Sequence, residues 1–332
     1  MDAKKNSLKI SLSSVEQQRL MTKIAVLYYE EKLRQPEISR RLNLSQARVS
    51  RYLNQAVAEG IVRTTVVQPY GIYVGLEKAL EQKYGLREVV IAEHIEGTSL
   101  KNALGSAAAT YLETTLSAND HLGLSSWSQT LLATVEAMRT QPRKVVNEVT
   151  QLIGGVGSPE AQIQASRLCS HLAEITSATP IYLATPGIVT TKDVKKAFLS
   201  DPAIAETINS WKRITTLIVG IGAFPASPLL AASGNTLDHQ EENQLKKDGA
   251  VGEICLRYFD KDGRAMNPAI EERVISIDAE SMKAAPRRIG IAGGVPKLNA
   301  IRAAILGGWI NVLITDSDVA RMLLEPPRQS KK

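Results

Sequence analysis

The stretch from Met21 to Gln68 constrains this chain most, because it spells three helices, a tight turn and a strand in a short span. Ile24, Leu27, Tyr28 and Leu33 put most of their apolar surface on one face of a first helix. Pro36 stands where a first helical turn tolerates it, and Ile38 and Leu42 lie four apart on the helix that follows. Asn43-Leu44-Ser45 makes the turn, and Ser45 is a good N-cap for the run Gln46 to Leu53. In that third helix Val49, Leu53 and Val57 are expected to face inward. Gln46, Arg48, Ser50 and Arg51 then point outward, with Gln35 and Ser45 beside them. Guanidinium and amide groups on an exposed helix are what the DNA major groove accepts and reads. Gly60 stops the helix, and Ile61 to Val67 alternates like the strand of a wing. The pattern predicts a small all-α winged helix-turn-helix over residues 15–68.

An ordinary structural subdomain with a solvated face would read much the same, and charge separates the two. Residues 1–62 hold 11 of the chain's 40 Lys and Arg and 6 of its 34 Asp and Glu, a balance of +5. The remaining 270 residues carry 29 against 28, or +1, so nearly all of the formal +6 sits on the segment that would meet phosphates.

With 332 residues the chain has room for about two domains, the larger able to bury its core without staples. Cys169 and Cys255 each lie in an apolar periodic context, which reads as buried reduced thiols without metal-ligand spacing. Met1 to Ser14 is polar and lysine-bearing and does not read as a signal peptide; like Glu325 to Lys332 it is expected to be loosely ordered. No run reaches the length of a membrane span, and a cytoplasmic protein is expected.

From Arg87 onward short apolar runs alternate with helical stretches. Strands are predicted at Glu88 to Ala92, His121 to Leu124, Val145 to Ile153, Ile181 to Ala184, Thr215 to Val219, Arg288 to Ala292 and Asn311 to Thr315. Helices are predicted at Ser99 to Leu116, Ser128 to Met138, Pro159 to Thr176, Pro296 to Leu306 and Asp316 to Leu324. Such alternation argues an α/β domain over 87–325, a parallel sheet covered on both faces. Residues 69–86, with a helix around Leu76 to Leu80, read as a linker and association element.

Three strand ends run into glycines, at Gly154 to Gly157, Gly220 to Gly222 and Gly293-Gly294. A fourth, Ser125 to Thr130, offers hydroxyls and a helix start, a natural anion cradle. Together they predict a polar small-molecule pocket at the carboxyl ends of the strands. A nicotinamide site does not fit, because Pro225 replaces the third glycine of a dinucleotide fingerprint. No cofactor, metal ion or catalytic set is expected. Asp120, His121, Asp238 and His239 could supply acid-base chemistry, yet Asp238 to Glu242 also reads as a solvated polar loop.

The chain resembles the SorC family of bacterial sugar-responsive transcription regulators over nearly its whole length. Ala25 to Tyr29, Glu37 to Leu42, Gly249 to Ile254, Ala292 to Gly294 with Lys297, and Gly307 to Asp316 carry the resemblance. It implies a winged reader joined to a Rossmann-like domain similar to sugar-phosphate isomerases and deaminases, usually assembled as a tetramer. It further implies double-stranded operator DNA and a sugar or sugar phosphate as partners. A phosphate would meet Ser125, Ser126, Ser128, Gln129, Thr130 and Lys297. Glu253 would face sugar hydroxyls, and Gly155, Thr191 and Gly222 would line the cleft. Where the family commonly has glycine after the tryptophan, this chain has Ser128. That leaves a phosphorylated sugar, an unphosphorylated sugar or a different acid open.

Two function classes follow: a regulator of a carbohydrate-catabolism operon whose operator affinity is set by a sugar-type effector, or a sugar-phosphate isomerase or deaminase with an accessory helical domain. The charge asymmetry and the exposed Arg48 and Arg51 favour the first. The second would need a general base in the pocket, for which Glu253 is the candidate.

Overall fold

A computed structural model describes residues 3–62, 71–94, 97–141, 143–157, 159–225, 237–266 and 269–326. The chain forms two compact units, Met1–Pro69 and Tyr70–Lys332.

The first unit holds helices α1 (Ala3–Tyr29), α2 (Gln35–Leu42) and α3 (Gln46–Ala58). Helix α1 reaches back through the segment expected to be loose. Its Met21, Ile24, Ala25 and Leu27 close a core with Ile38 of α2 and with Val49, Tyr52, Leu53 and Ala56 of α3. Val57, expected inside, is instead 45% exposed. Counted from Val49 it lies eight residues on, about 80° round the helix, whereas Tyr52, Leu53 and Ala56 stay on the core stripe. The turn before α3 closes as read: Asn43 takes the left-handed conformation at φ 51°, and the Ser45 hydroxyl accepts from the Arg48 N–H at 3.3 Å. Most of the strand expected in the wing, residues 63–67, lies outside the described residues.

The described residues of the second unit form ten strands: β1 (Glu88–Ala92), β2 (His121–Leu124), β3 (Glu148–Gln151), β4 (Thr179–Ile181), β5 (Thr216–Gly220), β6 (Gly222–Ala223), β7 (Ala250–Ile254), β8 (Arg257–Asp260), β9 (Arg287–Ile291) and β10 (Val312–Asp316). Seven form a parallel sheet in the order β1-β10-β9-β5-β2-β3-β4. Val145 to Ile153 contracts to four strand residues, because its partner β2 offers only four, from His121↔Glu148 to Leu124↔Gln151. Successive residues serve opposite faces: Leu217, Val219 and Leu313 enter one core cluster, Ile218, Val312 and Ile314 the other. The antiparallel trio β6-β7-β8 has no counterpart in the predicted strands. Its pattern is carried by only two residues of β6 and is interrupted by Gly252.

Among the described residues nine helices follow β1 or link the strands: α5 (Leu100–Thr115), α6 (Gln129–Ala137), α7 (Pro159–Thr176), α8 (Lys192–Ser200), α9 (Pro202–Ser210), α10 (His239–Lys247), α11 (Ala279–Ala284), α12 (Leu298–Leu306) and α13 (Ser317–Leu324). Helix α10 occupies what read as a polar loop. Asp238 caps it by accepting from the Gln240 and Glu241 N–H groups, and the Glu241 carboxylate accepts from the Asp238 N–H in return.

Residues read as a linker contain α4 (Val74–Tyr84), which packs on the sheet. Leu80 is fully buried there. Glu81 and Glu77, one turn apart, accept from the Val89 and Ile91 N–H groups of edge strand β1 at 3.0 and 2.9 Å. The Lys83 ammonium and the Tyr84 hydroxyl donate to carbonyls at the end of α13, at 2.7 Å to Leu324 and to Leu323 respectively.

Candidate functional site

Three neighbouring strands of the sheet, β9, β5 and β2, send their following loops to one end. The loops and the β7–β8 turn enclose a cavity of about 600 Å³. Ligands in open α/β sheets bind at this end of the strands.

After β2, Ser125, Ser126 and Ser128 line the wall, followed by Gln129 and Thr130 in the first turn of α6. Each hydroxyl has a defined role. Ser125 accepts from the Gly220 N–H at 3.2 Å, Ser126 donates to the Ile153 carbonyl at 3.3 Å, and Ser128 caps α6 by accepting from the Leu131 N–H at 3.2 Å. Ser125 and Ser128 therefore keep their O–H groups for a ligand. Gly220 makes room for Ser128: a Cβ there would stand 3.0 Å from the Ser128 hydroxyl.

Opposite stand Glu253 and Lys297. Lys297 ends a short 3-10 turn, Val295–Lys297, and opens α12, and its ammonium donates to the Ile221 carbonyl at 2.8 Å. Burial pushes its pKa below the usual lysine range, and the Glu253 charge pulls it back. Burial likewise raises the Glu253 carboxyl, against the Leu256 N–H that it accepts at 2.9 Å and against Lys297. That N–H comes from a two-residue turn in which both Cys255 (φ 53°) and Leu256 (φ 63°) are left-handed without being glycine. Such backbone costs of order 1–3 kcal/mol per residue and concentrates at functional sites. Gly222 leaves room for the Glu253 carboxylate, which a Cβ at that position would displace.

Gly155 and Thr191 are not among the cavity-lining residues. The Gly155 N–H is spent on the Leu183 carbonyl, and Thr191 caps α8 by accepting from Val194. Missing from the sequence reading are Lys101 from α5, Ile153, and Cys255 with Leu256. Gly252 interrupts the strand pattern beside Glu253, and nothing local marks the end of that strand as a cavity wall. The acid-base candidates stand elsewhere: His121 pairs with Glu148 at 3.0 Å, and Asp120 accepts from Thr215 and Thr216.

In the first unit, Gln46, Arg48 and Arg51 are exposed, with Gln35 and Ser50 half-buried. The Arg48 guanidinium leans along α3 to the Tyr52 hydroxyl at 3.3 Å, its carbon 5.6 Å from the ring centre. The Tyr52 ring itself is packed in the core, so only the exposed guanidinium has to move for Arg48 to turn outward.

Comparison with known proteins now adds to this geometry. Residues 69–325 match the Sugar-bind family, a sugar-binding domain, and residues 24–63 match a winged helix-turn-helix DNA-binding family. The chain belongs to the SorC family of bacterial sugar-responsive transcriptional regulators. It is 32% identical over 312 residues to the deoxyribonucleoside regulator of Bacillus subtilis, covering 93% of this chain and 98% of that one. To the sorbitol operon regulator of Klebsiella pneumoniae it is 29% identical over 316 residues, covering 92% and 98%. The crystal structure of full-length SorC from Klebsiella pneumoniae superposes with a TM-score of 0.71 at 27% identity, over 92% of this chain and 98% of that one. These relatives are transcriptional regulators of sugar or nucleoside operons, and this SorC-family chain has both of their parts. No helix among its described residues is long and apolar enough to cross a membrane.

Proposed function

We propose that the second unit binds a sugar or phosphorylated sugar in the cavity beside Lys297 and Glu253, and that occupancy sets the affinity of the first unit for operator DNA of a carbohydrate-catabolism operon. One observation carries this reading. The cavity joins a lysine, a helix start and a carboxyl group at the strand ends of a chain that also holds a helix-turn-helix. Lys297 and the N–H groups of Gln129 and Thr130 suit an anion. The Ser125 and Ser128 hydroxyls and Glu253 suit hydroxyl groups. On the DNA side, Arg48, Arg51 and Gln46 meet base edges or phosphates, while Ser45, Gln35 and Ser50 hold the helix start in register.

The effector is bound and released without turnover: among the described residues that line the cavity Glu253 is the one carboxylate, and no histidine joins it. A single winged reader spans few base pairs, so the working species is a homo-oligomer in the cytoplasm, a tetramer by analogy with the family. Residues 69–86 couple the reader to the effector domain.

An operator titration in the presence of pentoses, hexoses and their phosphates tests the reading. One of these is expected to shift operator affinity, and Lys297→Ala is expected to cost ~2–5 kcal/mol of an anionic effector's binding while sparing effector-free DNA binding. Operator affinity indifferent to every sugar, or turnover of a sugar phosphate by the wild type, would defeat it.

A further inference from the structure

Acids are unevenly placed over the helix starts of the second unit. Glu77 lies in the first turn of α4, Asp193 of α8, Glu241 of α10, Glu280 of α11 and Asp318 of α13. Helix α9 begins on Asp201. By contrast α5, α6 and α12 have no acid in their first turns and start from Ser99, Ser128 and Lys297. Among the described helices, α5 and α6 line the cavity with residues of their first turns and α12 with its N-cap, Lys297. A helix start carries partial positive charge and favours a carboxylate, so leaving all three bare gives up stability and keeps the cavity electropositive.

Lys101 makes the imbalance sharper. It sits in the first turn of α5, on the wrong end of that helix's dipole, and lines the cavity while remaining exposed, hence at its rim. Lys297 recovers part of its cost through the Ile221 carbonyl and Glu253. Lys101 has no such return: among the described residues it has neither a hydrogen bond nor a carboxylate partner. Its place is fixed by packing. Gly105, one turn on, lies so close to α6 that a Cβ would stand 2.8 Å from the Ala133 carbonyl carbon, which holds the starts of α5 and α6 together at the cavity.

We propose that Lys101 is a binding residue for an anionic group of the effector, and that the effector is accordingly a sugar bearing phosphate or carboxylate. The inference rests on the cavity being the effector site and narrows the ligand class. An exposed lysine on a helix start can be replaced without disturbing the core, so folding does not confound the test.

Full-length wild type, Lys101→Gln and Lys101→Arg would be titrated calorimetrically, at low and high salt, with pentose and hexose phosphates, the matching sugar acids and the free sugars. The tightest binder is expected to be an anion. Lys101→Gln should weaken it about tenfold and flatten its salt dependence, Lys101→Arg should restore both, and free sugars should bind all three alike. Phosphates against sugar acids tells which anion is used. Unchanged anion binding by Lys101→Gln would overturn the role of Lys101. A neutral sugar as tightest binder would overturn the ligand class while leaving the cavity reading intact. Binding of no sugar, acid or phosphate to the wild type would bring down the cavity reading and this inference with it.

Discussion

The reader helix and the effector cavity solve recognition in opposite ways. Helix α3 gathers its polar groups within six consecutive residues, Gln46 to Arg51, with Gln46, Arg48 and Arg51 exposed, over a core stripe that needs only helical periodicity. The cavity draws on segments as far apart as Lys101 and Lys297, half-buries Glu253 and Lys297, and bends two non-glycine residues into left-handed backbone to present one N–H. A surface that must enter a groove is built from a local repeat. A chamber that must exclude water is built from strand ends that only the sheet brings together.

The sharpest way to break that contrast is to unfold one side alone. Ile38→Ala removes a fully buried residue from the small core of the first unit and is expected to cost ~2–5 kcal/mol there. Calorimetry should show one transition lowered and the other kept, with operator binding lost and effector binding retained. A single transition lowered as a whole would mean that the units do not act separately.

Next in size is Arg48→Ala, expected to cost ~1–3 kcal/mol for the cognate operator and to relax preference at one base pair. A binding titration over single-base operator variants measures both. An unchanged preference would reduce Arg48 to the partner of Tyr52.

Ser45→Ala should cost about 1 kcal/mol of stability by losing the cap on α3. Thermal melts read the loss, and Ser45→Asp should recover most of it. Equal melts for all three would deny the cap any weight.

The smallest effect is a pH trend at Glu253. Burial raises its folded pKa above the unfolded value, so the folded state holds the extra proton in the window between them. Stability from that proton is present below the unfolded pKa and is lost as pH rises through the folded one. Glu253→Gln has no such loss, and its stability relative to wild type should rise from acidic to neutral pH. A gap independent of pH would mean that the carboxyl group does not change charge state across that window.

What the sequence made legible follows the same division. Strands β1 and β2 and helix α7 stand at their predicted bounds because each is a strongly patterned run between breakers. Ser45 and the outward Arg48 were legible for the same reason. Ser125, Ser128, Gly222 and Lys297 could be placed at the cavity because each stands at a strand end that marks itself by glycine or hydroxyl residues. Lys101 could not, since its approach depends on how tightly α5 nests against α6. Nor could α10, whose charged residues resemble a loop until the reciprocal bonds of Asp238 and Glu241 are seen.

Both margins of the seven-stranded sheet are closed to extension. Along β1 the outward N–H groups of Val89 and Ile91 are taken by the carboxylates of α4. Along β4 the Thr179 N–H turns inward to Asn147, which leaves the outward donor position to Pro180, a residue without an N–H. Neither rim can template a strand from another chain, which guards a crowded solution of this protein against ribbon-like aggregation. Copies that approach along these two margins must therefore meet through helices and loops, where contacts depend on side-chain fit and can be rearranged without tearing a backbone ladder.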